Sequence, residues 1–182
     1  MEWLADLDHA GLHWINSHHN AVADWILVPV SLLGEMGAVW VLVGLGLIIF
    51  GRGRARRTGL ILLAAMLVAD RLLGWPLGLI VSRGRPYVDE PDLRQIGFRW
   101  SSESFPSAHA YTVVVAAIVL GSEYRRLVPA LVIFVLLTLY SRPYLGMHYP
   151  LDALAGAGVG AVVGVAALAL RRRWENEPRE SA

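Results

Sequence analysis

Five long apolar runs, at about 21–50, 58–81, 107–121, 127–141 and 150–170, constrain this chain more than any other feature. Crossing a ~30 Å hydrocarbon core takes roughly 20 apolar residues in a helix, and several of the runs approach that length. With 182 residues, 55% of them hydrophobic, and a mean hydropathy of +0.49, the chain is too apolar for a water-soluble domain and too short for two large ones. The expected fold is therefore an all-α polytopic membrane helix bundle with five spans, a sixth crossing being the alternative. One domain covers 1–182, divided into an interfacial N-terminal segment (1–34), the bundle (35–172) and a cytoplasmic tail (173–182). Pro29, Gly34, Glu35 and Gly37 interrupt the first run, so an interfacial stretch to about Gly34 precedes the span proper.

Charge placement gives an orientation. The formal net charge is only +1, which supplies no basic surface for nucleic acid, yet all 16 basic residues are arginine and most are clustered. Arg52, Arg54, Arg56 and Arg57 follow the first span, Arg125 and Arg126 the third, and Arg171 to Arg173 the fifth. Short cytoplasmic loops collect arginine, so these ends belong inside and the loops at about 82–106 and 142–149 face the other side. The N-terminus then also lies outside, where Trp3, Leu4, Leu7, Leu12, Trp14 and Ile15 make a loosely amphipathic segment suited to a membrane surface. Met1 to Asn20 lacks the basic and apolar regions of a secretory signal and is expected to remain in the mature protein. Gly156, Gly160 and Gly164 form a small-residue ladder that would serve internal packing or a homodimer.

Ionisable groups near bilayer depth are costly and mark function. Here they gather at the outer helix ends: Arg83 and Arg85 after the second span, Ser107 and His109 opening the third, Arg142 closing the fourth, His148 and Asp152 opening the fifth. Guanidiniums offer paired donors and a helix N-terminus offers oriented N–H groups, so the set suits a tetrahedral oxyanion. The four-residue spacing of His148 and Asp152 puts both on one helical face, where the carboxylate would accept a proton from one ring nitrogen and leave the other as a lone pair aimed at phosphorus. His109, from another helix, would act as general acid across the phosphate. No metal or other cofactor is expected. The arginines around both histidines disfavour a divalent cation, Asp89, Glu90, Asp92 and Glu103 lack ligand spacing, and there is no cysteine.

These residues carry a resemblance. Ser141-Arg142, followed by His148 and Asp152, fits the pattern S-R-x5-H-x3-D; Pro106-Ser107-Ala108-His109 fits P-S-G-H with alanine for glycine; Arg85-Pro86 ends the pattern K-x6-R-P, with Gly78 in the lysine position. Over roughly residues 20–172 the chain resembles the type 2 phosphatidic acid phosphatase superfamily, which includes bacterial lipid phosphate phosphatases. The resemblance implies that His148 forms a phosphohistidine, Asp152 supports it and His109 protonates the leaving group. It further implies that Arg85, Ser107, Arg142 and the backbone N–H of Ala108 hold the phosphate; Arg83, outside the motif, is a further candidate ligand by its place at the helix end.

The absent lysine is the main departure, because the loss of one charged contact costs on the order of 1.5–3 kcal/mol. Arg71, roughly 10 Å deeper on the same helix face, or Arg83 nearer the mouth would be the replacement. The expected activity is dephosphorylation of a lipid phosphate or diphosphate such as phosphatidate, phosphatidylglycerol phosphate or a polyprenyl diphosphate. It would take place in the cell membrane with the site on the outer face, and the partners are the bilayer and the lipid. The alternatives are a lipid-phosphate binding or transport protein that has lost turnover, and a lipid phosphotransferase.

Overall fold

The computed structural model describes residues 2–34 and 37–176; Met1, Glu35, Met36 and 177–182 lie outside the described residues. Helix α1 (Glu2–Ser17) buries a stripe at four-residue spacing, Asp8, Leu12 and Asn16, while Trp3, Leu7 and Trp14 face outward. Two polar groups, Asp8 and Asn16, thus point into the protein beside Leu12 while large apolar side chains point away from it, as suits a membrane surface. Asn20 caps α2 (Ala21–Leu33) by accepting from the Ala23 N–H at 3.0 Å. The chain bends by 52° into α3 (Ala38–Phe50). Gly37 opens α3 at φ +69°, where an added Cβ would lie 2.9 Å from Met66, so only glycine fits the corner.

Helix α4 (Arg54–Val68) runs through a π-helical turn, Ala69–Gly74, into α5 (Trp75–Val81), and Ser82 ends it in a left-handed conformation. A short α6 (Pro86–Asp89) leads into the long loop before α7 (Ala108–Glu123), α8 (Val128–Tyr144) and α9 (Pro150–Asn176). Helix α9 continues past the expected boundary at 172, so the tail reading from 173 begins inside the helix and 177–182 lie outside the described residues.

Three of the five expected spans are helices long and apolar enough to cross a membrane: Arg54–Asp89, Arg125–Tyr144 and Pro150–Glu175. The first expected span is the bent α2–α3 pair, and the third, α7, is 16 residues long and below crossing length. Burial explains α7: Ala110, Val113, Val115, Ala116 and Val119 are at most 2% exposed, because α4, α8 and α9 surround the helix. The outer helices show the opposite pattern, with Leu60 and Leu67 of α4, Ile133 and Leu136 of α8, and Leu154, Val162 and Val165 of α9 all exposed, an apolar belt that suits lipid contact.

The glycine ladder serves internal packing. A Cβ on Gly156 would sit 2.4 Å from the Ser107 carbonyl, and one on Gly160 2.6 Å from the Tyr111 carbonyl, so α9 lies directly on the α7 backbone. The arginine clusters share one end of the bundle: Arg171 pairs with Glu123 at 2.9 Å and Glu175 at 3.0 Å, and Arg54 and Arg57 act on Glu175 electrostatically. The other end holds the loops 82–107 and 145–149.

Candidate active site

At that second end a cavity of about 140 Å³ is lined by Arg85, Trp100, Ser102, Ala108, His109, Arg142 and His148. His148 lies in the turn between α8 and α9 and is 2% exposed. Its Nδ1 is 2.7 Å from the Ser104 carbonyl. A carbonyl only accepts, so Nδ1 carries the proton and Nε2 is left with its lone pair, 3.3 Å from Arg85 Nη1. Burial holds the ring well below the ordinary imidazole range; Arg142, Arg85 and His109 push it the same way, and the Ser104 bond opposes them. The ring is a neutral, oriented base.

Asp152, fully buried in the first turn of α9, does not bond His148 directly, contrary to the sequence expectation: its Oδ2 is 4.0 Å from Nδ1. That oxygen instead accepts from Ser104 Oγ at 2.6 Å and from the Tyr149 N–H at 3.0 Å. The reason is local. A first-turn carboxylate is drawn to cap its own helix, and Ser104 fills the gap to the imidazole, its carbonyl on the ring and its hydroxyl on the carboxylate.

The two arginines of the cavity are held from behind. Arg85, 8% exposed, donates from Nε to the Ser102 carbonyl at 2.9 Å and from Nη2 to Ser102 Oγ at 3.0 Å. Arg142, 1% exposed in the last turn of α8, donates to Ser31 Oγ of α2 at 2.5 Å. Both guanidiniums are thus largely removed from water at the cavity wall. Ser107 caps α7 from a buried position, its Oγ without a hydrogen-bond partner among the described residues, and Ala108 lines the cavity behind it. His109, 6% exposed, lines the cavity from the start of α7 and packs toward Gly34 at the end of α2.

Arg83 is placed differently. Its Nη1 is 2.7 Å from Asp8 Oδ2 and 2.9 Å from Asp152 Oδ1, and its guanidinium lies 3.7 Å over the Tyr149 ring. It stands behind Asp152 and does not line the cavity. Nor does Arg71, which pairs with Asp70 at 3.1 Å. Neither arginine replaces the lysine. Gly78 instead lines a second cavity of about 300 Å³ that shares Arg85, Ser102, Ala108 and His148 with the first and reaches Asp70 and Tyr111. Among the described residues no three His, Asp or Glu side chains are grouped to hold a metal ion.

Ser102, Ser104, Ser31 and Asp8 were not anticipated from the sequence. Ser102 and Ser104 lie in a loop and carry no periodic signal, Ser31 is a lone hydroxyl within the apolar α2, and the contacts span 17 to 111 residues. Asp8 had one available sign, a carboxylate four residues before Leu12 on the inward stripe of α1.

A bundle of apolar helices with two buried arginines, a helix N-terminus and a neutral imidazole around one cavity defines a membrane protein built to handle a phosphoryl group. Residues 58–176 match the PAP2 superfamily, and the chain belongs to it. Undecaprenyl-diphosphatase BcrC of Bacillus subtilis is 30% identical over 149 residues, 81% of this chain and 75% of that protein. Decaprenylphosphoryl-5-phosphoribose phosphatase of Mycobacterium tuberculosis is 34% identical over 135 residues, 74% of this chain and 73% of that one. The crystal structure of Aquifex aeolicus LpxE superposes with a TM-score of 0.75 at 26% identity, covering 87% of this chain and 92% of that one. The chain is a multi-pass membrane lipid phosphatase.

Proposed function

We propose that this lipid phosphatase works through a phosphohistidine on His148, without a metal ion, and that its substrate is a polyprenyl diphosphate presented at the outer face of the cell membrane. The observation that carries the reading is the tautomer of His148, whose Nδ1 proton is committed to the Ser104 carbonyl while the Nε2 lone pair stands beside Arg85 in a cavity that Arg142 also lines.

In the first step the Nε2 lone pair forms the N–P bond, the bridging P–O bond breaks, and protonated His109 gives its proton to the leaving oxygen. In the second step water attacks phosphorus, His109 takes a proton from that water, and the P–N electron pair returns to Nε2. Arg85, Arg142, Ser107 Oγ and the Ala108 N–H hold the phosphoryl oxygens in both steps. Asp152 acts on His148 through Ser104.

The outer-face assignment rests on the arginine clusters at the opposite end of the bundle. The choice of a polyprenyl diphosphate rests on the relatives, one an undecaprenyl-diphosphatase and another a phosphatase of a decaprenylphosphoryl sugar. The test is phosphate release in detergent from undecaprenyl diphosphate, phosphatidate and phosphatidylglycerol phosphate, with EDTA present and His148→Ala as control. Release that survives EDTA, disappears in the variant and is fastest for the diphosphate is the expected result. Release abolished by EDTA, or retained by His148→Ala, overturns the mechanism.

A further inference from the structure

Behind the nucleophile lies a chain of charge that begins outside the family's motifs. Asp8, on α1, is 3% exposed. Its Oδ1 accepts the Leu151 N–H at 2.8 Å, one of the N–H groups that the first turn of α9 leaves without an intrahelical partner. Its Oδ2 lies 2.7 Å from Arg83 Nη1, the same nitrogen that lies 2.9 Å from Asp152 Oδ1. The Asp152 contact is a hydrogen bond, whereas Asp8 Oδ2 meets the guanidinium as an ion pair only. Asp152 then reaches Ser104 Oγ at 2.6 Å, and Ser104 reaches His148 Nδ1 through its carbonyl at 2.7 Å.

We propose that Asp8 is a positioning residue for catalysis: by sharing Arg83 with Asp152 it leaves the cluster with one net negative charge facing His148. The inference rests on the histidine reading above. Without Asp8, the Arg83 guanidinium would neutralise Asp152 one for one, and the imidazole would gain a positive charge on phosphorylation next to a cluster of zero net charge. With Asp8 present, one carboxylate charge remains to offset it. The geometry fits this purpose, since both Asp8 and Asp152 are buried and solvent screens them weakly. Helix α1 also packs on the start of α9, where an added Cβ at Gly11 would meet Pro150 at 3.4 Å, so it holds Asp8 in register with the site.

The test is a charge cycle on the full-length enzyme in detergent. Asp8→Asn keeps an oxygen for the Leu151 N–H and removes the charge. It is expected to lower kcat about tenfold, the size typical of supporting partners behind a reacting group, with KM within about twofold. Asp8→Asn combined with Arg83→Gln restores the net charge of the cluster and is expected to recover most of the lost kcat. A role in folding alone predicts the reverse, a double variant no faster than Asp8→Asn. Unchanged kcat in Asp8→Asn, or a folded double variant without recovery, overturns the inference. Should Asp8→Asn lose its folded state, the double variant decides on its own: folded and active supports the inference, folded and inactive overturns it. If His148→Ala is inactive while Asp8→Asn turns over normally, the histidine mechanism stands and only the role of Asp8 fails; if His148→Ala still turns over, both fall.

Discussion

The two ends of the bundle use arginine in opposite ways. At one end Arg52, Arg54, Arg56, Arg125, Arg126, Arg172 and Arg173 lie at helix ends and are exposed, with Arg171 alone tied to two carboxylates. At the other, Arg85 and Arg142 are buried to 8% and 1% exposure, with serine hydroxyls and carbonyls among their partners. Exposed arginines at helix ends favour an orientation in the membrane, whereas the buried ones line the cavity with paired donors that suit an oxyanion. Residue type does not separate the two uses. Burial and partners do.

The contrast can be broken by substitution, and the largest effect belongs to the buried pair. Arg85→Ala is expected to lower kcat/KM by roughly 10²- to 10³-fold, as for loss of one oxyanion donor, measured by phosphate release; a loss below tenfold would place Arg85 with the orienting arginines. Between the two ends, Gly160→Leu forces α9 off the Tyr111 carbonyl and should cost roughly 3 kcal/mol in detergent unfolding, while Gly158→Ala, with nothing within 4 Å of its added Cβ, should be close to neutral.

A subtler probe is pH. On the proposed mechanism His148 attacks as the neutral ring, and burial with Arg142 and Arg85 lowers its affinity for a proton, so the acid limb of kcat/KM is expected below pH 6.5. Arg142→Gln removes one depressing charge, so the limb should move upward, and an unmoved limb would assign it to another group. Gly78→Lys offers a cation to the second cavity and should raise kcat/KM by at most about tenfold, its gain limited by the Phe105 carbonyl 3.0 Å from the new Cβ. The smallest effect is expected at the orienting end: Arg56→Ala or Arg126→Ala should leave detergent turnover within about twofold.

The legible parts of this protein were those with a period or a motif. Apolar runs located α4 with α5, α8 and α9, because helical spacing is written in the sequence itself; the glycine ladder marked a close-packing face of α9 but not its partner, which the structure gives as α7. His148, His109, Arg85 and Arg142 could be picked out as chemistry stranded at helix ends, and all four line one cavity. What the sequence concealed was the link between His148 and Asp152. Four-residue spacing places two side chains on one face but does not reveal that a loop serine from 44 residues away will stand between them. Arg83 is a parallel case: it stands two positions before Arg85, at the edge of the motif, but Asp8, 75 positions earlier, draws it behind Asp152. The inward polar groups of α1 were likewise unreadable without the partners they meet.

The close contact of α7 with α9 has a mechanical consequence. The Ser107 N–H is bonded to the Asp152 carbonyl at 3.0 Å, and glycine after glycine seats one backbone on the other, so the residues that open these two helices are mounted on a single stiff beam. His109 and His148 sit together at one end of that beam. A parting of helices that admits a lipid is therefore expected elsewhere in the wall, with the span between His109 and His148 held fixed by the α7–α9 contact.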